Sequence, residues 1–272
     1  VWGSLYVWAK ATSMHLFIIP ALFFTFSQAS DLKAKTLEPK TTATATTTTT
    51  SATSESASKT LETKATASSA ASAKSNNCAI DFEKFKQAVA AYSLSAMGTP
   101  PVPSQSVYDA YAKHVCAHLS IEEQAQFLTN ALMETGGLVF RSERLTQGKF
   151  NGRGFIPLWG EADYQAASKD LYQNDRLLQN PDLVSKDDEA GWQTALWQWR
   201  KLAVPWIKKN DVLKKNDLGW SVKAISSIYW DVCANGPNDK AKKRLDVYNQ
   251  IRKVWGLAGV GNLDGCKPGL LV

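Results

Sequence analysis

Beyond about residue 80, apolar positions recur at three- and four-residue steps, the period of helices that bury one face. The pattern predicts helices over 81–92, 106–119, 121–135, 162–171, 187–201, 220–230 and 240–255. The run Thr99-Pro100-Pro101-Val102-Pro103-Ser104 breaks the first from the second, since consecutive prolines cannot continue a helix. Ser120 followed by Glu123 is a capping-box signature that starts the third helix, and Gly136-Gly137 stops it, because glycine adopts the left-handed cap at no steric cost. In 187–201, Trp192, Leu196 and Trp199 fall on one stripe, so Trp192, Trp197 and Trp199 are assigned to the core. Strand signals are scarce, with at most a short hairpin over 143–156. A mainly α domain follows.

Upstream the pattern changes twice. From Met14, where the start of the leader is placed, MHLFIIPALFF is apolar and then runs into small residues. It is shorter than the ~20 residues a bilayer span needs, and reads as a secretory signal within 1–29, cleaved near Ala29. Residues 30–77 are a low-complexity Ser/Thr-rich linker with almost nothing to bury; ordering it would cost entropy without return, so a disordered, O-glycosylatable stalk is expected. The domain occupies 78–272, long enough for one sizeable core.

Charge adds little. The chain is formally +6, but seven of its 31 basic residues precede Cys78, and the remainder are interspersed with acids. No nucleic-acid footprint is read from it. All four cysteines lie in the domain, which behind a secretory leader suggests two disulfides. Three pairings are possible; proximity favours Cys78 with Cys116 and Cys233 with Cys266. His114 and His118 stand without further metal-ligand spacing, and no metal site or cofactor is expected.

Two glutamates are candidates for chemistry. Glu134 falls in the last turn of the third helix, where the helix end and the neighbours Met133 and Leu138 disfavour a bare carboxylate. Glu143, beyond the glycine turn, is flanked by Arg141 and Arg144, which favour the charged form. One carboxyl disposed to donate a proton and one to accept it is the division used in glycoside hydrolysis.

The stretch ETGGLVFRSE followed by NGRGFIPLWGEADYQAA resembles the core of the glycoside hydrolase family 19 chitinases. Asn180-Pro181-Asp182-Leu183-Val184, Thr194-Ala195-Leu196-Trp197-Gln198-Trp199 and Gly261-Asn262-Leu263-Asp264 extend the likeness in order, from about Cys78 to Cys266. The resemblance implies a two-lobed lysozyme-like α-helical domain with a substrate cleft, and a last segment tied back by the Cys233–Cys266 pair. It implies a secreted, extracellular or cell-wall-associated monomer acting on chitin or a related N-acetylglucosamine polysaccharide, with no stable membrane insertion. Glu134 becomes the general acid and Glu143 the general base of an inverting reaction. Arg153, Trp159, Asp163, Tyr164 and Arg244 become cleft residues, Arg153 as a buttress and Arg244 beside the acid.

The chain also departs from the family pattern. Met133 replaces a histidine, Pro157 a glutamine that meets substrate, Trp159 a hydroxyl residue that helps hold the attacking water, and Asp163 an asparagine; the family's I-N-G-G reads Ile228-Tyr229-Trp230-Asp231. These changes define a second reading, a catalytically impaired relative that binds chitin or another glycan. A third is a lysozyme-like hydrolase of peptidoglycan.

Overall fold

The structure, a computed structural model, describes residues 78–95, 97–143, 148–226 and 232–267. The leader and the linker read from the sequence lie outside these, as do Arg144, Ile228, Tyr229 and Trp230. Among the described residues are ten α-helices: α1 Phe82–Ala90, α2 Gln105–Tyr111, α3 Ile121–Thr135, α4 Gly160–Tyr172, α5 Arg176–Gln179, α6 Leu183–Lys186, α7 Asp188–Leu202, α8 Val204–Lys209, α9 Gly219–Ser226 and α10 Asp239–Trp255. Among the described residues, pairing outside the helices is confined to isolated bridges. No helix among the described residues is long and apolar enough to cross a membrane.

The helix starts follow local chemistry. Asp81, Ser104, Ser120, Asp187 and Asn238 each accept a backbone N–H of the first turn that has no partner within the helix. Half of the expected capping box forms. Ser120 accepts from Glu123 N–H, but the Glu123 carboxylate turns away and takes the Trp199 indole N–H at 2.9 Å, tying α3 to α7. Gly136, at φ 61°, ends α3 in the left-handed conformation.

Two apolar clusters form, and α7 faces both. Trp192 and Trp199, fully buried, enter the larger cluster with α1, α2, α3, α9 and α10. Phe155 stacks on Trp192 at 3.7 Å between centroids, and Phe127 meets Trp199 edge-on at 5.5 Å. Trp197 points the other way, half-buried against a smaller cluster of Leu158, Tyr164, Ala167, Leu177 and Val184, and donates to Asp170 at 2.8 Å. It lies five positions beyond Trp192, off the 192–196–199 stripe, so it leaves the core that the sequence assigned to it.

The closing segment is held back as the pattern implied. Disulfides join Cys78 to Cys116 and Cys233 to Cys266. By loop closure, links spanning 38 and 33 residues contribute about 4 kcal/mol each. Asp217, buried, accepts from Gly219 N–H at 2.8 Å and Gly265 N–H at 3.0 Å with one oxygen. Burial raises its carboxyl above the ordinary 3.8, against the pull of those two bonds. A carboxyl raised in the folded state contributes stability that is complete below its unfolded value and lost as pH rises through the folded one. Asp217→Asn retains an acceptor for both glycines and removes the titration. It is expected to flatten the pH dependence of the urea midpoint in the window just above pH 3.8, with no loss of stability at pH 7.

Candidate functional site

The segment after α3 forms one wall of the site. Leu138, at φ 68°, follows Gly136 and Gly137 and turns the chain outward, leaving Val139 and Phe140 exposed. The chain then pairs with 152–154: Glu143 N–H donates to Gly152 O at 2.9 Å, and Gly154 N–H to Arg141 O at 2.8 Å. A second short pairing follows at once. Leu158 N–H donates to Arg153 O at 2.8 Å and Arg153 N–H to Leu158 O at 3.3 Å, so residues 152–154 lie between the Glu143 segment and the Trp159 segment. In place of the short hairpin expected over 143–156, isolated bridges join Ser142 to Arg153 and Arg153 to Leu158. An open cavity of about 430 Å³ is lined by Val139, Phe140, Arg141, Ser142 and Glu143, with Ser185 and Lys186 opposite at the end of α6.

Glu143 is held at three points. Its backbone N–H is paired as above, its carbonyl accepts from Asn151 Nδ2 at 3.1 Å, and its Oε2 accepts from the Trp159 indole N–H at 3.2 Å. Glu134 is held differently. Its Oε1 meets Nη2 of Arg244, 110 residues away on α10, at 2.7 Å, and the two side chains are only 14 % and 7 % exposed. Arg244 Nε and Nη1 are buried without a hydrogen-bond partner among the described residues.

The remaining expected residues separate. Arg153, buried, donates to the carbonyls of Lys149 and Asn151 at 3.0 and 3.2 Å and to the Tyr164 hydroxyl at 3.2 Å, with Asp182 Oδ1 3.2 Å from its Nε. These contacts tie the 149–151 turn to α4 and to the start of α6. Tyr164, expected to meet substrate, is fully buried: it donates to Asn151 O at 3.0 Å and holds the same loop from beneath. Burial pushes its phenol up, so it remains a protonated donor. Asp163 pairs with Lys201 of α7 at 2.6 Å, away from both glutamates' partners. Pro157 contributes its carbonyl, which accepts from Gln198 at 3.1 Å. Asn151, Ser185 and Lys186 carry no sequence signal of their own; each follows or sits inside a motif without a distinguishing pattern. Among the described residues no cluster of three or more His, Cys, Asp or Glu could hold a metal ion.

No protein-family model matches the chain. It is 28% identical over 145 residues to an acidic endochitinase of Petunia hybrida, covering 47% of this chain and 55% of the relative. It is 30% identical over 146 residues to chitinase 8 of Oryza sativa subsp. japonica, covering 47% and 54%. The chain thus spans about half the length of the curated relatives it matches. Among solved structures, chitinase C from Streptomyces griseus HUT6037 superposes with a TM-score of 0.51 at 25% identity, over 68% of this chain and 96% of that one. A bacterial family 19 chitinase superposes with a TM-score of 0.50 at 26% identity, over 68% and 98%. The fold is therefore the mainly helical, lysozyme-like fold of glycoside hydrolases. Within that class, the relatives it resembles in sequence are chitinases, and one of the solved structures it superposes on is a family 19 chitinase.

Arg153→Ala is expected to lower the unfolding free energy by about 2–4 kcal/mol, because the Tyr164 hydroxyl and two carbonyls lose a buried donor. The half-exposed Asp182 contact adds little to that. Chemical denaturation followed by tryptophan fluorescence checks it.

Proposed function

We propose that the chain hydrolyses β-1,4-linked N-acetylglucosamine polymers, chitin or a close relative of it, by a single inverting displacement. The observation that carries this reading is the separate anchoring of the two glutamates of the motif, one by a buried arginine and one on the wall of the open cavity. Glu134 protonates the glycosidic oxygen. As its proton leaves, charge develops on a carboxylate already in contact with Arg244, which stabilises the product of that transfer. Glu143 activates a water on the opposite face of the sugar; inversion requires the two carboxyls to stand about 6.5–9.5 Å apart with that water between them. The two disulfides suit an oxidising compartment, in keeping with a secreted, extracellular or cell-wall-associated monomer that engages polysaccharide and not nucleic acid.

Two observations support the binding-only alternative: Pro157 offers no side-chain amide, and Trp159 offers no hydroxyl to the attacking water. Activity decides between them. Incubated with chitin hexasaccharide, the chain is expected to release fresh α-anomer, read by NMR before mutarotation; β-anomer would mean retention, and binding without turnover would leave the glycan-binding relative. Bacterial cell walls supplied in place of chitin test the peptidoglycan reading.

Glu134→Gln keeps an acceptor for Arg244 and is expected to fold while losing at least about 100-fold in kcat. Glu134→Ala would strand the buried guanidinium and is expected to destabilise the fold by about 3–5 kcal/mol. Turnover by the glutamine variant near the wild-type rate would remove Glu134 as the acid.

A further inference from the structure

We propose that Trp159 is the positioning residue of Glu143, holding one carboxylate oxygen directly, and that Gly152 is required because its missing side chain is the space the indole occupies. The proposal rests on the reading of Glu143 as the base. It assigns to the tryptophan a task of its own, where the departure from the family pattern showed only a lost hydroxyl.

Four observations converge. The indole N–H donates to Glu143 Oε2 at 3.2 Å, while Oε1 makes no hydrogen bond to protein among the described residues. The backbone of Glu143 is already fixed at its N–H and its carbonyl, so the freedom left to this residue is that of its side chain, and the indole restrains it. Glu143 lines the open cavity, so the oxygen not bound to Trp159 is the one available to a water or a sugar. Finally, a Cβ placed on Gly152 would collide with Trp159 Nε1, approach its Cδ1 to 2.7 Å and reach 3.3 Å from Glu143 Oε2. Gly152 is not among the residues with positive φ, so its lack of a side chain serves the indole and not the backbone.

The chemistry of the substitution agrees. A serine or threonine hydroxyl both donates and accepts, and can therefore hold a water; an indole N–H only donates. Next to a carboxylate its natural acceptor is the carboxylate itself. The ring is delivered by the Arg153–Leu158 pairing and by Leu158, which is fully buried, so its approach is set by the core and not by the substrate. Orientation of the base is thus achieved by direct contact in place of a solvent-mediated one.

The test uses the intact chain with chitin hexasaccharide, together with the ¹H–¹⁵N signals of the indole groups. Trp159→Phe keeps an aromatic ring and removes the donor. Its kcat is expected to fall about tenfold with KM within about twofold, the mark of a misoriented reacting group and not of lost binding. Gly152→Ala, which displaces the indole without removing it, is expected to give the same split. The Trp159 indole signal, identified by its loss in Trp159→Phe, is expected to move upfield in Glu143→Ala. A Trp159→Phe kcat at or above the wild-type value overturns the proposal, as does an indole signal that Glu143→Ala leaves unmoved. An intact chain that turns over no oligosaccharide while its indole signal still responds to Glu143→Ala upholds the contact, and it is then the hydrolase reading that fails.

Discussion

One buried guanidinium, that of Arg153, is what the site loop depends on. Its nitrogens reach two carbonyls of the 149–151 turn, the hydroxyl of Tyr164 on α4 and the carboxylate of Asp182 at the threshold of α6. An arginine is suited to this because its planar fork carries five donors in fixed directions and stays charged when buried. With its backbone bonded to Leu158 as well, the residue fixes both sides of the turn that carries Glu143 and Trp159. The smaller apolar cluster supplies area, but of its five fully buried side chains only Tyr164 carries a polar group to set a register, and Arg153 is bonded to that hydroxyl.

The helices were legible because each signal that marks them is local. Caps at Asp81, Ser104, Ser120, Asp187 and Asn238, a glycine stop at 136 and the stripe through Trp192, Leu196 and Trp199 all act within a few residues of where they are read. Three elements were not foreseen: α5, α6 and α8 are four to six residues long, less than two turns, and so show no periodicity. The capping box at Ser120 shows the limit of local reading from the other side. Its glutamate is locally suited to close the box, and the indole of Trp199, 76 residues on, takes it instead.

The site was legible as a set of residue types and not as a set of contacts. The motif located Glu134, Glu143, Arg153 and Arg244, and the family resemblance put Arg244 beside the acid, but nothing within the chain's own pattern joins residues 110 apart. Tyr164 is the opposite case. As a tyrosine inside a motif it reads as a ligand-facing residue, yet its position on the inner face of α4 places it beneath the loop, fully buried. Trp159 reads only as the absence of a hydroxyl, because its donor role exists once Leu158 has paired with Arg153 and Gly152 has left the space open.

The two glutamates are anchored by unlike means, and under the proposed assignment of Glu134 as acid and Glu143 as base the difference matches what each would do. An acid that ends its step as a carboxylate benefits from a fixed positive partner, since a buried charge left unpaired would cost several kcal/mol. Arg244 provides that, reaching across from α10 with its own burial nearly complete. A base that must take up a proton would be opposed by such a partner at contact distance. Glu143 is steadied by neutral groups, a backbone pairing, an amide and an indole N–H, which fix its direction. Under the proposed assignment, tryptophan in place of the expected hydroxyl preserves that neutrality while delivering the hydrogen bond directly to Glu143, so it would alter the anchoring of the proposed base without exchanging the proposed roles of the pair.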